Sequence, residues 1–269
     1  MRKILSKFSH IKNNPSMFHK FLIPDIKPAT KAYKIIHKLI FPLDSFKRKN
    51  LAMKYFQKYN QNFLDNKIGY LIKNLSKKDE NIFKNLKKAC QLLKKVNWEK
   101  ETLNSKKKFF IEYPVDLSKK ENLFLFNIIF NKNIYPTLIN YFGQIPVLLS
   151  VSIWYSPNKK FEKNRSQEFH LDSDDTKQIK LLFPLESISN TDGPLTAINS
   201  TKTKEIFKSL NRVNCRKKFG FPIQNQKFSD EFILSFNPEI EKMTGEIGDC
   251  FFVDTSNCFH YGSRPSKKS

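Results

Sequence analysis

Pro146-Val147-Leu148-Leu149-Ser150-Val151-Ser152-Ile153-Trp154-Tyr155-Ser156-Pro157 marks the point where the texture of this chain changes. β-Branched and aromatic residues enclosed by two prolines predict a buried strand over Val147–Tyr155. Upstream of Gly143, apolar residues instead recur at helical spacing. In Ser76-Lys77-Lys78-Asp79 a capping residue is followed three positions on by an acid, and Ile82, Phe83, Leu86, Cys90, Leu93 and Val96 then share one face. Ser118 with Glu121 signals another helix start ahead of the apolar run Leu123–Phe130. Residues 51–75, with Leu51, Tyr55, Phe56, Tyr59, Phe63 and Leu64, read as a further amphipathic helix. Pro15, Pro24, Pro28 and Pro42 interrupt any long helix in the first 45 residues, which read as an irregular basic arm.

Downstream, short strands are expected at Glu168–Leu171, Ile179–Leu185, Leu195–Ile198, Phe232–Phe236 and Cys250–Asp254. Turn chemistry separates them at Asn190-Thr191-Asp192-Gly193-Pro194, at Asn237-Pro238, and from Gly245 to Asp249. Helices first and strands afterwards predict an α+β fold that is mainly β in its second half, with helices packed on an antiparallel sandwich or barrel. The expected organisation is an arm over 1–45, a helical region over 46–142 and a β core over 143–269, with 46–269 as one folded unit.

The 269 residues are 39% hydrophobic and include 26 Phe, so a sizeable core can form. No apolar run reaches membrane-spanning length, and no apolar segment follows the basic start Met1-Arg2-Lys3-Ile4-Leu5. A cytoplasmic protein is therefore expected. Cys90, Cys215, Cys250 and Cys258 make no CxxC pair and read as reduced thiols. The formal charge of +23 comes from lysines spread along most of the chain, which favours a solvated surface over one dedicated patch. Its functional counterpart would be an acidic partner: a phosphorylated or CoA-linked small molecule, an anionic membrane surface or nucleic acid.

His170-Leu171-Asp172 falls in an expected strand, where residues two apart point the same way, so an imidazole and a carboxylate project together. A second imidazole, His260, follows the strand Cys250–Asp254. The other histidines, His10, His19 and His37, all lie in the arm. Two histidines and one carboxylate with open positions form the ligand set of non-haem Fe(II) oxygenases. Asp174 and Asp175 read as loop carboxylates. Asp254 reads as shaping the Thr255-Ser256-Asn257 turn, with orientation of a ligand as the alternative. Cys258 beside His260 leaves a structural zinc as a minor alternative.

These motifs resemble the phytanoyl-CoA dioxygenase-like family of Fe(II)/2-oxoglutarate-dependent oxygenases. The resemblance covers roughly residues 140–269. It rests on Ser166-Gln167-Glu168-Phe169-His170-Leu171-Asp172, Lys180-Leu181-Leu182-Phe183-Pro184-Leu185, Asp192-Gly193-Pro194-Leu195, Gly248-Asp249-Cys250-Phe251-Phe252-Val253-Asp254-Thr255 and Phe259-His260-Tyr261-Gly262-Ser263-Arg264. It implies a double-stranded β-helix (jelly-roll, cupin-like) with Fe(II) on His170, Asp172 and His260. It also implies 2-oxoglutarate and O2 as cosubstrates, and hydroxylation of a small molecule with release of succinate and CO2. A carboxylate at Asp172 implies hydroxylation rather than halogenation, because halogenating relatives carry Gly or Ala there. The family's arginine for the far carboxylate of 2-oxoglutarate sits on a closing strand that has no counterpart before Ser269; either the sequence is a fragment, or Arg264 or Lys180 takes that role. Trp154 and Asn158 are expected to line the cosubstrate pocket, and Ser263 to hydrogen-bond a carboxylate. The competing expectation is a basic module on a degenerate, inactive barrel that binds nucleic acid or an anionic surface.

Overall fold

The computed structural model describes residues 42–56, 63–75, 79–105, 107–157, 165–172, 175, 177–212 and 227–266. The arm up to residue 41, Ser76–Lys78, Asn158, Asp174 and Cys215 lie outside the described residues. Helix and sheet are mixed, and the sheets are small and antiparallel. No closed barrel forms among the described residues.

The first part supplies helices α1 (Pro42–Phe56), α2 (Glu80–Lys95), α3 (Trp98–Asn104), α4 (Phe124–Ile129) and α5 (Tyr135–Phe142). Helix α2 begins after Asp79, the acid of the expected cap run, which is itself the cap: its carboxylate accepts from the amides of Asn81 and Ile82, which are otherwise unpartnered in a first turn. Its Ile82, Leu86 and Ala89 face inward. The second expected start is shorter than anticipated. Ser118 bonds Asp116 in a turn, a 3-10 segment covers Lys120–Asn122, and α4 follows.

The helix expected over 51–75 is corrected. Helix α1 ends at Phe56, and Tyr70–Asn74 forms strand β1. Gly69 decides this locally. It takes φ +80, and a Cβ there would come within 2.5 Å of Cys258 Sγ, so the chain turns into the sheet at a position only glycine fits.

β1 pairs antiparallel with β7 (Asp249–Asp254), whose other edge pairs with β4 (Ile179–Leu182). A second sheet has the order β6 (Ile240–Lys242), β5 (Thr196–Ile198), β8 (His260–Tyr261). β7 alternates faces. Its Cys250 and Phe252 enter the helix-lined cluster with Leu86, Ile139 and Leu75, while Phe251 and Val253 meet Ala197 of β5 together with Met243 and Cys258. β7 is thus buried on both faces, which explains its continuous apolar sequence.

The opening stretch is corrected too. Only Ser152–Tyr155 forms a strand, β3, and it pairs with β2 (Ile111–Pro114) in a separate two-stranded ribbon. Val147, Leu148 and Leu149 precede it without regular structure and are exposed, Leu149 at 49%. Phe232–Phe236 is not a strand either. Ser229 caps a short helix, α7 (Asp230–Leu234), by accepting from the Phe232 amide, with Asp230 and Glu231 in its first turn. Helix α6 (Ser200–Arg212) follows β5 and was not anticipated, although the Asn199 side chain caps it at the Lys202 amide.

Candidate metal centre

His170 and Asp172 lie on an extended segment rather than a full strand. Phe169 bridges to Phe228 and His170 to His260, with reciprocal backbone bonds His170 N to His260 O at 3.0 Å and His260 N to His170 O at 3.1 Å. Alternation holds all the same. Phe169 and Leu171 enter the core with Ile198, Ile206 and Phe259, so His170 and Asp172 face the opposite way, toward His260. The third ligand is brought in by β8, whose register on β5 sets Ala197 opposite His260.

One potential ligand atom from each of His170, Asp172 and His260 lies within 4.8 Å of the others. His170 Nε2 is 3.8 Å from Asp172 Oδ1, and His260 Nε2 is 3.7 Å from Asp172 Oδ2. Both rings are anchored the same way. His170 Nδ1 donates to Glu168 O at 2.8 Å, and His260 Nδ1 donates to Cys258 O at 3.1 Å. With Nδ1 carrying the proton, each Nε2 keeps its lone pair toward the centre, the tautomer a metal ligand needs. His260 Nε2 is buried and has no hydrogen-bond partner, an arrangement that is costly unless another group completes it.

Burial lowers both imidazoles, His170 to about 4 with help from the Lys227 charge, and His260 to about 3 with help from His170 and Lys180. Both are therefore neutral near pH 7. Burial opposes ionisation of Asp172, but its interactions with the His260 ring and the Lys180 ammonium outweigh it and hold the carboxyl below its usual range. Two neutral nitrogens and one carboxylate oxygen suit a borderline divalent ion such as Fe(II). The unpartnered Nε2 leaves a coordination position that a metal ion could fill.

Among the expected cosubstrate residues, Lys180 reaches this centre, and Trp154 lies beside Lys180. Lys180 Nζ lies 2.6 Å from Asp172 Oδ2 and 5.5 Å above the Trp154 ring. The Trp154 Nε1 donates to Ser152 Oγ, and its ring meets Phe110 edge-on at 5.2 Å. Arg264 is held elsewhere. It donates through Nε to Gln167 O, pairs with Asp230 at 2.9 Å and lies 3.5 Å from the Tyr261 ring centroid. Ser263, at φ +59, is buried in a turn where its N bonds Gly193 O and its O accepts from Gln167 Nε2. Cys258 does not join the ligand group; its thiol approaches Ile68 O, and burial keeps it protonated.

Tyr141 and Thr255 were missed. The Tyr141 hydroxyl donates to the Asp254 carboxylate across 113 positions of sequence, a pairing without local signal. Thr255 O accepts from the Asp172 amide at 2.9 Å. Compared with known proteins, the chain matches no family model and has no significant match among curated proteins.

Proposed function

We propose that this protein is an Fe(II)/2-oxoglutarate-dependent dioxygenase that hydroxylates a small, anionic molecule, on a β-core of the double-stranded β-helix type. The observation that carries the reading is the convergence of two Nε2 lone pairs and one carboxylate within 4.8 Å, at a buried centre where His260 Nε2 has no other partner. Fe(II) and 2-oxoglutarate, once bound, would supply the oxidative chemistry of the reaction 2-oxoglutarate + O2 + substrate C–H → succinate + CO2 + hydroxylated substrate.

The chain's own residues then have definite tasks. His170, His260 and Asp172 would hold the ion and leave its remaining positions to exchangeable ligands. The carbonyls of Glu168 and Cys258 keep the rings from rotating. Lys180 already balances Asp172, so a dication adds uncompensated positive charge and favours a dicarboxylate beside it. Lys180 also takes the place expected of Arg264 as the cation nearest the ligands, since Arg264 is committed to Asp230.

The test is anaerobic titration of purified protein with Fe(II) and 2-oxoglutarate, watching for the weak visible charge-transfer band of the chelated cosubstrate. A band requiring both ligands and lost in Asp172→Ala is expected. A folded wild-type protein that gives no band, or an Asp172→Ala variant that keeps it, overturns the reading. Salt-dependent binding to polyanions that is indifferent to metal would then favour the basic-module alternative.

A further inference from the structure

Asp254 is fully buried at the end of β7, and among the described residues no lysine or arginine side chain is bonded to its carboxylate. Instead its two oxygens collect four donors. Oδ1 accepts from Ser256 N at 3.1 Å and from Gln178 N at 3.4 Å, while Oδ2 accepts from Asn257 Nδ2 at 2.7 Å and from the Tyr141 hydroxyl. Burial and the neighbouring carboxylate keep Tyr141 protonated, so it remains a donor. Backbone bonds complete the turn: Asp254 O accepts from Asn257 N at 3.1 Å and from Cys258 N at 2.8 Å.

Two of the three candidate ligands depend on this turn. Thr255 O receives the Asp172 amide at 2.9 Å. Cys258 O receives His260 Nδ1. A bond to the carboxylate, four residues of turn and two ligand anchors therefore form one connected unit. A buried carboxylate is an expensive way to shape a turn alone. Here its rigid acceptor geometry sets both anchors at once.

We infer that Asp254, braced by Tyr141 from helix α5, is a positioning residue that sets the geometry of the metal centre through the 254–258 turn. The inference rests on the metal-centre reading above. It differs from a merely structural role because the group it positions is two ligands rather than the core.

Co(II) is the probe, titrated anaerobically into wild type, Asp254→Asn, Asp254→Ala, Tyr141→Phe and His260→Ala. Affinity and the intensity and position of the visible d–d bands are read, and thermal melting checks the fold. Asp254→Ala is expected to weaken Co(II) by roughly 10–100-fold and to change the bands, as loss of a ligand's support does in other sites. Asp254→Asn, which keeps an acceptor for Ser256 and Gln178, should fall between it and wild type. Tyr141→Phe removes one donor and should give a smaller loss with a band shift in the same direction. If Asp254→Ala does not fold, Tyr141→Phe and Asp254→Asn decide. Folded variants with wild-type affinity and spectrum overturn the inference while the metal reading stands. A wild type that binds no Co(II), or a His260→Ala variant that binds as well as it, overturns both.

Discussion

Strands β3 and β7 carry nearly interchangeable sequences, Ser152-Ile153-Trp154-Tyr155 and Cys250-Phe251-Phe252-Val253, yet occupy opposite kinds of place. β7 has neighbours on both edges and a packed layer on both faces. β3 has one neighbour, buries only Ile153, and is preceded by three exposed aliphatic residues. Apolar and β-branched content marks a segment as fit for a pleated surface, but not as central or peripheral. The partners decide that. For β7 they are β1 and β4, from segments far away in sequence.

The comparison breaks most easily at Phe252, which is 0% exposed and sits between the helices and β1. Phe252→Ala should cost about 3–5 kcal/mol in urea unfolding; a loss below about 1 kcal/mol would mean that β7 is not the central strand.

The site beyond β7 gives the next effect. His170 and His260 are neutral in the fold at pH values where free histidine is half protonated, and their folded pKa values lie near 4 and 3. Between those values and the unfolded one, about 6.5, the unfolded chain binds more protons. Stability of the metal-free protein should therefore be fully present above about pH 6.5 and decline, by on the order of a few kcal/mol, as pH falls toward 4. Urea midpoints from pH 7.5 to 4.5 measure this, with His170→Gln and His260→Gln variants flattening the slope. An unchanged slope would remove the buried-neutral assignment.

A smaller effect is expected at the cap of α2, which supports the helical face of β7. Asp79 is held below its ordinary carboxylate range, the Asn131 side chain contributing most, then the Ile82 and Asn81 amides. Asp79→Ala should cost about 1 kcal/mol above pH 5. The folded pKa is depressed, so the difference between wild type and variant should shrink as pH falls through it. The smallest effect belongs to the β3 side. Leu149→Ala, in the exposed approach to that strand, should change stability by less than about 0.5 kcal/mol. A loss comparable to that of Phe252→Ala would erase the contrast between the two strands.

Local patterns foretold what is local. The helix start close to Asp79, the face carrying Ile82 and Leu86, the turn before Leu195 and the shared direction of His170 and Asp172 all follow from spacings of a few residues. Where the same patterns served two structures, they misled. Phe232–Phe236 is as apolar as a strand, but Ser229 and the two acids after it favour a helix start. Residues 51–75 look helical until Gly69, whose backbone must pass against Cys258, turns the chain. Arg264 and Lys180 were equivalent candidates by type. Asp230, whose position relative to both depends on α7, assigned Arg264 to a structural ion pair and left Lys180 beside Asp172.

The amino-acid sequence alone determined which residues are candidate ligands: with His10, His19 and His37 in the arm, His170 and His260 remain, and Asp172 shares a face with the first. Tertiary structure alone decided that they meet. The β5–β8 register and the His170–His260 backbone pair bring together groups 90 residues apart, and Asp254 with Tyr141 fixes the turn between them. The reason is physical. The side-chain alternation of an extended chain is written into two-residue steps, whereas strand pairing and the satisfaction of a buried carboxylate are settled among distant segments only when the core closes.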